Sequence, residues 1–176
     1  MIFQTKYPSP VGMLTLSGDG EALTGLWLQG QKYYAASLPD DAPVQDDLPI
    51  FAQAKAWLDA YFGGEALPPL PPLAPEGSAF RKDVWALLQE IPYGSTTTYG
   101  ALAAELNLRG HATSARAVGG AVGHNPISII IPCHRVLGAD GSLTGYAGGV
   151  HIKKVLLELE EADMTGMFVP TKGTAL

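Results

Sequence analysis

Residues 125–136 read NPISIIIPCHRV and contain the only cysteine of this 176-residue chain. The apolar run at 128–131 predicts a short buried strand that ends at a proline. Cys133 follows that proline, and His134 and Arg135 come directly after the cysteine. Basic or cationic neighbours lower the pKa of a thiol and favour the reactive thiolate. A lone cysteine is more often a small buried apolar residue, so the residues alone leave both interpretations open.

The cysteine count and the composition exclude several classes of protein. One cysteine excludes an internal disulfide, a Cys-x-x-Cys redox pair and a thiolate-rich zinc site, which favours a reduced, cytoplasmic location. A hydrophobic content of 47% with 16% charged residues excludes intrinsic disorder. The longest apolar run lies around residues 129–131, far below the roughly 18 residues of a membrane helix. The N-terminus, MIFQTKYPSP, does not resemble a secretory signal.

Charge is distributed unevenly along the chain. The first 75 residues hold three lysines and eight acids, whereas the remainder holds eight basic side chains and nine acids. The window 106–139 contains Arg109, Arg116 and Arg135 and no acid. Such a window predicts a local basic face that binds a phosphate backbone despite the net charge of −6. A solvated basic loop is the alternative that charge alone leaves open.

The N-terminal part has the pattern of a small antiparallel sheet followed by a helix. Apolar residues alternate over 11–17 and 23–28, and residues 2–7 predict a third strand. A helix is predicted over 49–62, with one apolar face made of Ile50, Ala54, Trp57, Leu58 and Tyr61.

A proline-rich connector separates this part from the rest of the chain. Residues 67–75 contain five prolines in nine positions, which neither a helix nor a central strand accommodates. We therefore predict one domain over 1–75 and a second over 76–176.

The second domain is predicted to be mostly helical, with helices over 78–90, 99–106, 114–122 and 151–161. The two short central helices flank a glycine-containing turn, and the second carries Arg116 among small residues. This pattern is typical of a DNA-binding helix-turn-helix, although any helical hairpin in a core shares it. The predicted apolar face of the last helix comprises Ile152, Val155, Leu156 and Leu159.

Several motifs together carry a resemblance to a known family. The stretch 125–136 resembles the active-site signature of the O6-alkylguanine-DNA alkyltransferases, and the constitutive bacterial form is the most similar. The motifs at 80–85, 91–94, 98–100, 115–119 and 145–149 follow in the order and approximate spacing of that family. The resemblance is strong over 76–165 and weaker before it.

The resemblance implies a fold and an activity. The fold would be α/β (α+β), with an N-terminal ribonuclease-H-like domain and a C-terminal winged helix-turn-helix-like domain. The activity would be irreversible, stoichiometric transfer of an alkyl group from O6-alkylguanine or O4-alkylthymine to Cys133, after the base is flipped out of duplex DNA. No cofactor and no metal would be needed. The partner would be the DNA minor groove, bound by a cytoplasmic monomer with no membrane association; cooperative binding along DNA stays open.

The resemblance also implies roles for residues around the cysteine. Cys133 would accept the alkyl group, and His134 would act as a water-mediated base oriented by Glu160. Asn125 would brace the turn that carries the cysteine.

Other residues would contact DNA or the base. Tyr99 would press on the phosphate beside the lesion, and Arg116 would fill the gap in the base stack. Arg81 and Gly119 would also contact DNA. The guanine pocket would be lined by Tyr146, Val136 and Ala147.

Two functions of other classes compete with this reading. A non-catalytic DNA-binding module would mark lesions without reacting, but the retained Cys133 disfavours it. A Cys-His hydrolase would need a separate histidine with an Asn or Asp partner, and it would turn over.

Overall fold

The computed structural model describes residues 1–170, which form two compact units. The first unit comprises Met1–Glu76 together with Pro126–Ile130. The second comprises Gly77–Asn125 and residues 131–170. Across the described residues, every helix is too short or too polar to cross a membrane.

The first unit contains an antiparallel sheet in the order β1-β2-β3. Its strands are β1 (Phe3–Ser9), β2 (Gly12–Gly18) and β3 (Leu23–Leu28). The inner strand pairs Leu14 with Leu28, and both side chains are fully buried. The alternating apolar pattern therefore predicted the three strands correctly, with small errors at their ends.

Helix α1 (Pro49–Gly63) belongs to the same unit. It has a proline in its first turn and ends at Gly64, whose φ of 67° is the left-handed conformation of a helix C-terminus. The ring of Trp57 stacks on Tyr61 with centroids 5.3 Å apart. The predicted apolar face is confirmed: all five of its residues are buried, namely Ile50, Ala54, Trp57, Leu58 and Tyr61.

Four α-helices form the frame of the second unit: α2 (Ala79–Leu88), α3 (Tyr99–Leu108), α4 (Ala115–Gly123) and α5 (Val150–Leu159). The first three begin after Ser78, Thr98 and Ser114, and each hydroxyl accepts a hydrogen bond from the backbone N–H three residues on. Each cap satisfies one of the unpaired N–H groups at a helix start.

Two contacts fix the helices of the second unit against one another. The indole Nε1 of Trp85 on α2 donates to the carbonyl of Ala121 on α4 at 2.8 Å, in a buried position. The side chain of Asn107 bonds both backbone groups of Thr113, at 2.9 and 3.1 Å, and so closes the turn between α3 and α4. The predicted pair of short helices joined by a turn is thus present.

The segment before the cysteine, residues 128–131, is predicted as a strand but forms a turn in the structure. Ile127 makes a single parallel bridge with Leu26. The chain then turns at Ile129, whose φ is 70°, and the N–H of Ile130 bonds the carbonyl of Ser128. The segment is buried, as its apolarity indicated, but the strand prediction was wrong because burial does not distinguish a strand from a packed turn.

The cysteine begins a 3₁₀ helix, Cys133–Arg135, which leads into β5 (Val136–Leu137). This strand pairs in parallel with β4 (Thr97–Thr98), which directly precedes α3. The reactive segment and the start of α3 therefore lie side by side.

The predicted face of the last helix was partly wrong. Val155 is 46% exposed, whereas Lys153 is fully buried. Helix α5 packs through Val150, Lys153, Leu156 and Leu157, so its buried face is rotated from the predicted one.

We expect Gly25→Ala to lower the free energy of unfolding by about 1–3 kcal/mol, because a side chain there would collide with the buried Trp27 ring. Urea denaturation monitored by circular dichroism measures the change. Gly63→Ala is the matched control, since its added carbon meets only the flexible Glu65 side chain, 3.5 Å away. Equal stabilities for the two variants would contradict the close packing of Trp27 on Gly25.

Candidate functional site

The thiol of Cys133 lies inside the second unit with a 4% exposed surface. Burial raises the pKa of this thiol, because an apolar environment disfavours the thiolate. The side chain of Asn125, the charge of Lys153 and nearby backbone groups oppose that rise without cancelling it. The expectation that basic neighbours lower the pKa of this thiol below that of a free cysteine was therefore wrong, because desolvation outweighs the polar neighbours.

Asn125 braces the backbone just before the cysteine. Its side-chain amide, itself buried, donates to the carbonyl of Ile131 at 2.9 Å. The same side chain hydrogen-bonds Cys133 in a way that lowers the pKa of the thiol. Asn125 thus contacts both Ile131 and Cys133.

Glu160, the residue that follows α5, is the centre of a buried network. Its carboxylate accepts a hydrogen bond from Nε2 of His134 at 2.5 Å and one from Nε of Arg135 at 2.8 Å. The backbone N–H of Gly94 lies 3.3 Å from the same carboxylate. The structure brings His134 and Glu160 together as expected, and it adds Arg135 and Gly94, whose contacts the sequence analysis missed.

The ring of His134 is held in one orientation. Burial lowers the pKa of His134 and outweighs the opposing effect of Glu160, so the neutral ring predominates near pH 7. In the neutral ring the Nε2–H donates to Glu160, which leaves Nδ1 as a proton acceptor. Nδ1 is buried and has no hydrogen-bond partner within residues 1–170. An acceptor without a partner, on the residue that follows Cys133 in the chain, is available for a proton-transfer step.

Tyr99, at the start of α3, faces the loop that precedes Tyr146. Its hydroxyl donates to the carbonyl of Thr144 at 3.0 Å. Gly145 has a φ of 88°, and any side chain there would collide with that hydroxyl. Burial raises the pKa of Tyr99, so its hydroxyl keeps its proton.

The remaining pocket candidates are all at least partly buried. Tyr146 is buried, and its ring meets His134 edge-on at 6.4 Å. Val136 is fully buried, and Ala147 is half-buried.

The basic window contributes fewer available charges than its composition indicated. Arg109 binds Glu90 through both terminal nitrogens and Glu105 through Nε, and Arg135 is committed to Glu160. Arg116 is exposed in the first turn of α4 and forms no ion pair with any residue that the structure describes.

The other two candidate DNA contacts lie on α2 and α4. The backbone N–H of Arg81 donates to Ser78, and its side chain is half-exposed. Gly119 faces the ring of Tyr99: an added carbon there would lie 3.8 Å from it. Across residues 1–170, no group of three histidine, cysteine or acidic side chains is arranged to hold a metal ion.

One buried charge was missed by the sequence analysis. Lys153 lies on the inner face of α5, where its ammonium donates to the carbonyls of Val136 and Thr144. A lysine three residues after Val150 and four before Leu157 shares their helical face, and this spacing is the signal that could have identified it.

Two family models match this chain. Residues 79–162 match the DNA-binding domain of 6-O-methylguanine DNA methyltransferase, and residues 2–71 match the ribonuclease-like domain of the same family. The expected fold class, with a ribonuclease-like part and a DNA-binding part, is therefore confirmed.

Individual relatives agree with the family models. A methylated-DNA–protein-cysteine methyltransferase of Haemophilus influenzae is 47% identical over 91% of this chain and 87% of its own length. One from Methanosarcina acetivorans is 46% identical over 90% of this chain and 98% of its own length.

Solved structures give the same result. The O6-methylguanine methyltransferase of Mycobacterium tuberculosis superposes with a TM-score of 0.79 at 44% identity, covering 94% of this chain and 98% of that one. The M. tuberculosis OGT in complex with DNA superposes with a TM-score of 0.78 at 43% identity, covering 90% and 92%. On these matches, the chain belongs to the 6-O-methylguanine DNA methyltransferase family.

Proposed function

We propose that this chain is a methylated-DNA–protein-cysteine methyltransferase, which repairs DNA by moving an alkyl group from O6 of guanine to Cys133. The names of its relatives and the DNA complex of a similar protein support this activity. The observation that carries the mechanism is the orientation of His134, whose Nε2–H is held by Glu160 while Nδ1 is a buried acceptor.

The reaction begins with ionisation of the buried thiol. The proton of Cys133 passes through a bridging water to Nδ1 of His134, and Glu160 stabilises the imidazolium that forms. The thiolate attacks the alkyl carbon: an S–C bond forms, the C–O bond breaks and its electron pair stays on the guanine oxygen. The guanine takes up one proton, so the sum of the reaction is thiol plus alkylated base to thioether plus base.

The product is a thioether, which is stable at neutral pH. A second thiol does not reverse a thioether, and this chain has no second cysteine in any case. The protein is therefore consumed after one transfer. The same chemistry extends to O4-alkylthymine, because its alkyl carbon is attached through the same kind of C–O bond.

Helix α4 supplies the surface for DNA in this proposal. Gly120 is exposed, and an added carbon there would meet no atom within 4 Å, so packing inside the protein does not require glycine. A helical glycine costs about 1 kcal/mol relative to alanine. Close approach of the helix to the floor of the minor groove accounts for it.

The target base must leave the stack to reach a buried thiol, at a cost of a few kcal/mol. We assign Arg116 to the vacated position, since it is the exposed arginine at the start of α4. Tyr99 acts at the adjacent phosphate, and Arg81 and Gly119 add contacts to the DNA. Tyr146, Val136 and Ala147 line the pocket that receives the base.

The wider organisation follows the same proposal. The part over 1–75 serves as the ribonuclease-like domain, and the part over 76–176 binds DNA and accepts the alkyl group. The protein acts as a cytoplasmic monomer without a cofactor, in keeping with its single reduced cysteine.

Incubation with duplex DNA containing O6-methylguanine should give one methyl adduct on Cys133, detected by mass spectrometry of the intact protein and its peptides. Cys133→Ser should form no adduct yet still bind the duplex, because a hydroxyl ionises far less readily than a thiol. Repeated turnover would indicate a hydrolase, and an unmodified wild-type protein would indicate a non-catalytic lesion binder.

Arg116→Ala should slow repair of duplex DNA by roughly tenfold or more, since the gap in the base stack raises the cost of flipping. The variant should react normally with free O6-benzylguanine, which needs no flipping. Arg116→Lys should restore part of the rate, because it keeps the charge but lacks the planar group that stacks on bases. Second-order rate constants on both substrates provide the measurement.

Arg109→Ala is the matched control for Arg116, since it also removes one arginine but one already held by two glutamates. Its duplex rate should stay close to that of the wild type. An equal loss on both substrates in Arg116→Ala would refute the role in the base stack.

Glu160→Gln should slow alkylation by free O6-benzylguanine about a hundredfold or more, because the imidazolium of His134 loses its carboxylate partner. The rate should rise with pH as the Cys133 thiol ionises, and in the variant this rise should shift to higher pH. Stopped-flow rates across pH measure both effects.

Glu158→Gln, at an exposed position of α5 two residues before Glu160, is the control for Glu160→Gln. Circular dichroism checks that both variants are folded, because Glu160→Gln also leaves Arg135 without its buried partner. An unchanged rate and pH profile in a folded Glu160→Gln would leave Glu160 with a structural role alone.

A further inference from the structure

Lys153 is a charged side chain in an unusual position. It is fully buried, although lysine is almost never fully buried unless it is paired. Within residues 1–170 no carboxylate lies at ion-pair distance from its ammonium. Such an arrangement is costly in folding free energy, so a role at the site would account for its presence.

The hydrogen bonds of Lys153 connect two segments that follow the reactive cysteine in the chain. One accepting carbonyl is that of Val136, three residues after Cys133. The other is that of Thr144, at 2.9 Å and two residues before Tyr146. The hydroxyl of Tyr99 donates to the same Thr144 carbonyl, so three elements meet at this point.

The charge of Lys153 also acts on the thiol. Its positive charge lowers the pKa of Cys133, against the larger effect of burial. The other titratable groups around it are Tyr99, whose ring centroid is 5.9 Å from the ammonium, and His134, whose pKa Lys153 lowers. Burial lowers the pKa of Lys153 to about 8, so the side chain is mostly cationic at pH 7.

We propose that Lys153 is a positioning residue of the alkyl-transfer site, which joins the Val136 and Thr144 segments around Cys133 and places a positive charge opposite the thiolate. This inference rests on the proposed function for the reaction it serves. The thiol titration below requires no DNA or alkylated base, so it tests the lysine separately from the repair activity.

Two variants separate the effect of the charge of Lys153 from the effect of its hydrogen bonds. Lys153→Met removes the charge and both hydrogen bonds. Lys153→Gln removes the charge and keeps an amide that donates to a carbonyl. The apparent pKa of the thiol is measured by ultraviolet absorbance of the thiolate across pH, with Cys133→Ser as the blank. Because the chain has one cysteine, the signal has a single source.

We expect the thiol pKa to rise by about one unit or more in both variants. At an effective dielectric constant of about 20, the loss of a nearby positive charge changes a pKa by this amount. The rate constant with O6-benzylguanine at pH 7 should fall roughly tenfold or more in both. The fall should be smaller in Lys153→Gln, which retains part of the hydrogen bonding.

Lys154→Met is the matched control, because Lys154 is the exposed neighbour that pairs with Glu158. Its thiol pKa and rate should equal those of the wild type. A folded Lys153→Gln with an unchanged thiol pKa and rate would overturn the proposal. If the wild type titrates as expected but reacts with no alkylguanine, the proposed function fails while the electrostatic role of Lys153 stands.

Discussion

The buried carboxylate of Glu160 is the constraint on which the arrangement of the site depends. Removing a carboxylate from water costs several kcal/mol unless good hydrogen bonds replace the lost hydration. Here His134, Arg135 and the N–H of Gly94 are the donors, and they come from two separate segments. The 3₁₀ helix, the turn before β4 and the end of α5 are therefore positioned together, and the orientation of His134 follows from that.

Burial favours the neutral form of three titratable groups of the site. It raises the pKa of Cys133 and lowers those of His134 and Lys153, which favours the neutral form of each. A mostly protonated, buried thiol reacts slowly with stray electrophiles. A nucleophile that is used only once benefits from this, because each accidental reaction would consume a whole protein molecule.

The sequence predicted those features that depend on local chemistry. The caps at Ser78, Thr98 and Ser114 were predictable because a hydroxyl bonds a backbone N–H only three residues away. The turn at Ile129 and the burial of Lys153 were not, since packing by distant segments decides them. The acidic partners of Arg109 and Arg135 likewise lie up to 25 residues away, so composition overestimated the free basic charge. The role of Glu160 came from family resemblance, as no spacing indicated it.

The five residues Pro126–Ile130 belong to the first unit, although the chain on both sides of them belongs to the second. Ile127 pairs there with Leu26, and Ile129 is fully buried. The two units are consequently not encoded by two consecutive, separable stretches of the gene. A recombination event that exchanged everything after residue 76 would import a segment matched to a different β3, so the apolar residues before Cys133 and those of β3 are constrained to change together during evolution.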